Sequence, residues 1–84
     1  MPQTYPVDIQ NMKFQPDPVN VAAGDSVQWT NRDDSDHTVT ADDGSFDSGA
    51  MEQGDTFTQT FSAAASIKYH CEFHAGMKGT VIVS

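Results

Sequence analysis

Apolar and polar positions alternate along most of the chain. Val7 and Ile9 begin the pattern, and Met12 and Phe14 extend it after an irregularity near Asn11. A period of two marks a strand with one buried face. The run Gln15-Pro16-Asp17-Pro18 interrupts it, because proline punctuates local structure. Val19 and Val21 alternate with polar neighbours, and Ala23-Gly24-Asp25 reads as a turn. Val27, Trp29 and Asn31 line one face of a further strand. Arg32 to Asp36 is a polar loop, His37 to Ala41 is rich in strand-forming residues, and Asp42-Asp43-Gly44 is a strong turn signal. Alternation returns over Thr56 to Phe61, with Phe57 and Phe61 on one face. Ala63-Ala64-Ala65 reads as a short helix or a connector. Ile67 to His70 and Thr80 to Val83 complete the set.

Short strands at regular spacing, separated by Gly, Asp and Pro turns, predict an all-β sandwich or barrel. The chain has 84 residues, which fits one domain over residues 1–84. A domain of this size buries a modest core, so a tightly held metal would help hold it together. It leaves no room for separate substrate and cofactor domains, and an enzyme is not expected.

Charge narrows the partners. Twelve acidic residues face four basic ones, a net charge of -8. Nucleic acid and anionic membranes both demand basic surface and are excluded as partners. The balance suits a protein partner with a basic docking patch, or serves solubility alone. No apolar run reaches spanning length, so no transmembrane segment is expected. The start, MPQTYPVDIQ, lacks the basic and then apolar regions of a signal peptide.

The chemistry lies in the last third. In Tyr69-His70-Cys71-Glu72-Phe73-His74-Ala75-Gly76-Met77, a thiol, an imidazole and a thioether recur at three-residue intervals. The single cysteine cannot staple the fold internally. Soft sulfur ligands select copper, and two His with one Cys and a weak axial Met describe an electron-transfer copper site. The loop lacks the second histidine. His37, at the start of a distant strand, is the best candidate. His70 competes, but it adjoins Cys71, and successive strand residues point to opposite faces. Taken singly, each residue has an ordinary use: Cys and Met as core filler, His37 as surface. Together they form a specific set: His37, Cys71, His74 and Met77 around one copper ion.

These residues give the chain a family resemblance. The segment from Tyr69 to Val81 resembles the copper loop of the cupredoxins, and within them that of the plastocyanin-, amicyanin- and halocyanin-like small blue copper proteins. Phe14-Gln15-Pro16, Val19-Asn20-Val21, Gly24-Asp25-Ser26-Val27, Trp29-Thr30-Asn31 and His37-Thr38-Val39-Thr40 are similar to the same family's strands. The likeness implies a Greek-key β-sandwich of about seven or eight strands. It implies Nδ1 ligation by both histidines, single-electron shuttling between larger redox proteins, and a monomer. It also implies an extracytoplasmic location, periplasmic or at the cell surface, with Met1 then marking a start after signal removal. Three departures stand out. Thr38 replaces the Asn that commonly follows the first His and ties the ligand segments together. Phe73 replaces a Pro of the amicyanin type, and its backbone N–H joins that of Thr38 as an expected donor to the Cys71 sulfur. Asp36, Ala75 and Gly76 imply a smaller, more polar docking face around His74.

Rival readings are weaker. Zinc favours tetrahedral Cys/His sites without thioether. Copper storage or delivery relies on Met or Cys clusters, whereas Met1, Met12 and Met51 are scattered. A copper enzyme needs an open position or a second copper, and no spare His pair exists for one.

Overall fold

Alternating burial converts the sequence into eight strands. The computed structural model describes residues 2–84. Its strands are β1 Thr4–Gln10, β2 Lys13–Gln15, β3 Val19–Val21, β4 Ser26–Asn31, β5 Thr40–Ala41, β6 Thr56–Thr60, β7 Ala65–His70 and β8 Lys78–Val83. One sheet has the order β2-β1-β4-β6, the other β3-β8-β7-β5. Both sheets are mixed: β1 runs parallel to β4 and β3 parallel to β8, while the remaining neighbours are antiparallel. Ala63-Ala64 is a connector, and Ala65 opens β7.

The inward faces meet over an aromatic centre. Trp29 of β4 and Tyr69 of β7 are fully buried and pack edge-to-face across the two sheets, with ring centroids 5.3 Å apart. Phe14 packs edge-on against Tyr69 at 4.7 Å. Such side chains each contribute roughly 1.5–3 kcal/mol by leaving water. Gly79 pairs with Tyr69 across β7 and β8, and a Cβ there would collide with the Tyr69 ring. The neighbouring strand is therefore open to glycine alone at this level of the core.

Two expectations change. The sequence pattern carries the first strand through Phe14 with an irregularity near Asn11, but the chain reverses at that irregularity. Gln10 pairs with Lys13, and Asn11 and Met12 both have positive φ, 55° and 60°. That is the geometry of a two-residue hairpin turn whose twist matches its strands. Phe14 is thereby returned to the core, and Met12 is left 42% exposed. The segment from His37 to Ala41 is also less regular than a strand. His37 forms an isolated bridge with Met51, and regular pairing begins only at Thr40.

The β7–β8 connection, residues 71–77, lies at one end of the sandwich. Its flanks are fixed by the pairs Tyr69 with Gly79 and His70 with Lys78. His37 reaches the same end from the segment that precedes β5.

Candidate metal centre

Three of the four expected ligands converge. Cys71 Sγ lies 3.7 Å from His37 Nδ1 and 3.5 Å from His74 Nδ1. All three donor atoms lie within 4.8 Å of one another. A metal with bonds of roughly 2.0–2.3 Å at trigonal or tetrahedral angles separates its donors by about 3.5–3.8 Å. The spacing thus fits a single ion between them. Met77, also buried, ends the same loop, and its backbone closes it: Cys71 N–H donates to Met77 O at 3.0 Å, and Met77 N–H to His74 O at 3.3 Å.

Local structure explains each position. Asn31 is fully buried at the end of β4. Its side-chain amide donates to Ser35 O at 2.9 Å and to Met51 O at 2.8 Å, while its Oδ1 accepts from Asp33 N–H at 3.0 Å. One side chain therefore folds the 32–36 loop and anchors the strand segment that His37 pairs with. His37 N–H donates to Met51 O at 3.1 Å, and Met51 N–H to His37 O at 2.8 Å. The His37 ring is wholly buried. Its Nε2 sits 2.9 Å from Asp33 Oδ2. An ionised carboxylate only accepts, so Nε2 carries a proton, which in the neutral ring leaves the Nδ1 lone pair for a metal. Burial pushes the Asp33 carboxyl up, but hydrogen bonds from Met12 N–H, His37 and Asn11 N–H outweigh it and hold its pKa below the ordinary value.

The expected backbone donor from Thr38 is present: its N–H points to Cys71 Sγ at 3.5 Å. Among the described residues Phe73 supplies no matching bond. The amide beside it, Glu72 N–H, instead donates to Thr38 Oγ1 at 2.8 Å. Thr38 Oγ1 lies 3.0 Å from Thr40 Oγ1, which donates to Asp47 Oδ1 at 3.1 Å. Because Thr40 spends its proton on the carboxylate, Thr38 must donate to Thr40. The order of donation runs from Glu72 N–H through both hydroxyls to Asp47. This relay is the tie between ligand segments that a threonine after His37 left open.

His70 stands apart from the three converging donors. Its Nδ1 lies 2.6 Å from Asp42 Oδ1, and its Nε2 lies 3.4 Å from Glu72 Oε1. The Asp42 hydrogen bond raises its pKa against a smaller lowering by burial, and Glu72 adds to the rise. His74 is partly exposed, and the adjacent Phe73 is 53% exposed.

Sequence reasoning passed over Asp33, Thr40 and Asp47. Their types carried no signal, since acids and hydroxyls also populate turns and strand surfaces.

Comparison with known proteins agrees with this geometry. A family model described as copper binding proteins, plastocyanin/azurin family, matches residues 3–84. An amicyanin from Paracoccus denitrificans is 34% identical over 82 residues, covering 92% of this chain and 63% of its own. The chain thus spans less than two thirds of that relative's length. A plastocyanin from Scenedesmus fuscus is 32% identical over 83 residues, covering 83% of this chain and 85% of its own. Among solved structures, an oxidised amicyanin variant superposes with a TM-score of 0.89 at 30% identity, over 95% of this chain and 81% of that one. A reduced amicyanin variant gives 0.90 at 29% identity, over 96% and 82%.

Proposed function

The chain belongs to the copper-binding plastocyanin/azurin family, and we propose that it holds one copper ion as a type 1 centre and carries single electrons between larger redox proteins. His37 and His74 would bind through Nδ1, Cys71 through its thiolate, and Met77 more weakly through its thioether. The observation that carries this reading is the near-equal spacing of Cys71 Sγ from the two Nδ1 atoms, 3.7 and 3.5 Å, in a buried setting. Bound copper would supply a one-electron Cu(I)/Cu(II) couple.

The protein's own residues do the rest. Electron transfer is fastest where the ligand cage moves little as charge changes, and the cage here is tied from several directions. The Met51 bridge and the Asp33 carboxylate orient His37. The loop closes on its own backbone, and the Glu72–Thr38 bond fixes it against the His37 segment. Thr38 N–H draws density from the thiolate and favours the reduced state. Burial of His37, Cys71 and Met77 excludes water on three sides. His74 alone among the four is partly exposed, so its ring edge is the route by which electrons leave or enter.

The net charge of -8 supports redox partners with basic docking surfaces. The exposed carboxylates Asp34, Asp36 and Glu72 lie beside the ligands in sequence. The same family likeness supports work outside the cytoplasm, in the periplasm or at the cell surface. In the structure, among the described residues, no helix is long and apolar enough to cross a membrane.

Titration with Cu(II), followed in the visible spectrum and by voltammetry, tests the reading. Strong thiolate-to-copper absorption, reversible one-electron cycling and loss of the band in Cys71→Ser are expected. A colourless protein that binds Cu(I) alone would instead indicate storage or delivery.

A further inference from the structure

One carboxylate outside the proposed ligand set collects three donors. Asp33 Oδ1 accepts from Asn11 N–H at 2.8 Å, and Oδ2 accepts from Met12 N–H at 3.0 Å and from His37 Nε2–H at 2.9 Å. The two amides belong to the central residues of the β1–β2 turn. In a two-residue hairpin turn these amides face away from the ladder, where water or an outside side chain accepts from them. The turn is also strained, since neither Asn11 nor Met12 is glycine and both have positive φ. Such a conformation costs on the order of 1 kcal/mol per residue and persists where surroundings over-determine it. Asp33 supplies that determination from 21 and 22 residues away.

The third donor changes what the clamp does. His37 is buried, and Asp33 is the partner of its outer nitrogen. A carboxylate on the far nitrogen of a metal-bound imidazole fixes its rotation and makes it a stronger donor. It also places a negative charge one ring away from the metal, which favours Cu(II) over Cu(I). We propose that Asp33 is a positioning residue, joining the Asn11–Met12 turn to His37, so that the β1–β2 hairpin forms part of the frame of the copper site and the carboxylate lowers its reduction potential. This rests on the copper reading given above. Asp33 opposes Thr38 N–H: the one pushes electron density toward the metal through His37, the other withdraws it through Cys71.

The test uses the full chain with Asp33→Asn and Asp33→Ala. In Asp33→Asn, an amide of nearly the same shape can still accept from a turn N–H but loses the charge that His37 Nε2–H meets. The blue band should persist, Cu(II) affinity should fall about 10–100-fold, and the reduction potential should rise. A tenfold loss confined to Cu(II) corresponds to about 59 mV for one electron. In metal-free Asp33→Ala, the Asn11 and Met12 amides should exchange with solvent at least about tenfold faster while core amides of β4 stay protected. A role limited to folding would move the exchange rates and leave the potential of Asp33→Asn where it is in the parent, and that result would overturn the proposal. Unchanged turn-amide exchange in Asp33→Ala would overturn it as well. A parent protein that gives no blue copper species would defeat the copper reading itself, a failure distinct from a blue parent whose potential Asp33 does not affect.

Discussion

Glu72 N–H donates to Thr38 Oγ1 at 2.8 Å across 34 residues of sequence. The bond joins the loop carrying Cys71, His74 and Met77 to the segment carrying His37. Thr38 is 97% buried by its 3% exposure, and its hydroxyl passes the interaction on to Thr40 and Asp47. Thr38→Val keeps the shape and removes the acceptor. A part-buried amide left without its partner costs about 1–3 kcal/mol at most, the figure for a fully buried one. Thr38→Ser keeps the relay and loses one methyl, about 0.8 kcal/mol. Chemical unfolding of the metal-free protein should therefore rank parent, Ser and Val in falling stability. A Val variant as stable as the parent would show that the relay does not hold the two segments together.

Gly79 gives a second prediction. It pairs with Tyr69, and a methyl there would run into the Tyr69 ring, which lies at the centre of the core. Gly79→Ala should destabilise by about 1–3 kcal/mol through overpacking. The gain expected from replacing a strand glycine with a side chain would be outweighed. Denaturation midpoints of parent and variant decide the sign.

His70 predicts a pH dependence. Asp42 raises its pKa in the folded state, against the lowering by burial, and Glu72 adds to the rise. The unfolded value is about 6.5. A folded pKa above the unfolded one means that the native state holds the proton more tightly. The stabilisation is therefore complete below about pH 6.5 and fades as pH climbs through the raised folded value. Thermal melts of metal-free parent and His70→Gln, between about pH 6 and pH 8.5, should show a difference that shrinks as pH rises. A constant difference across that range would contradict the assignment.

Met77 is buried at the end of the loop and is proposed as the weak thioether ligand. Met77→Leu preserves volume closely, so folding should change by less than about 1.5 kcal/mol. Removing a weak donor leaves the metal with less electron density and three strong ligands, which favours Cu(I). The variant should stay blue and show a higher reduction potential by voltammetry. A potential equal to or below that of the parent would exclude Met77 from the metal.

Residue order alone carried the strand pattern, because burial of one face imposes a period of two that survives without any knowledge of partners. It also carried Cys71, His74 and Met77, since seven consecutive residues confine all three to one loop whatever the rest of the chain does. His37 was legible as the best-placed distant histidine. The chain could not reveal in advance which polar residues support it. Asp33, Asp34 and Asp36 are the same chemical group within four positions, and only the fold of the 32–36 loop around buried Asn31 aims Asp33 at both His37 and the Asn11–Met12 turn. Thr38, Thr40 and Asp47 likewise become a relay through the Glu72 amide, which folding brings from the other end of the site. The turn at Asn11 and Met12 was hidden for a related reason. Its positive φ values have no glycine to announce them and are sustained by a carboxylate from another loop. Metal-binding side chains are set by type and local spacing. The hydrogen bonds that orient them are set by distance in space, which tertiary structure alone decides.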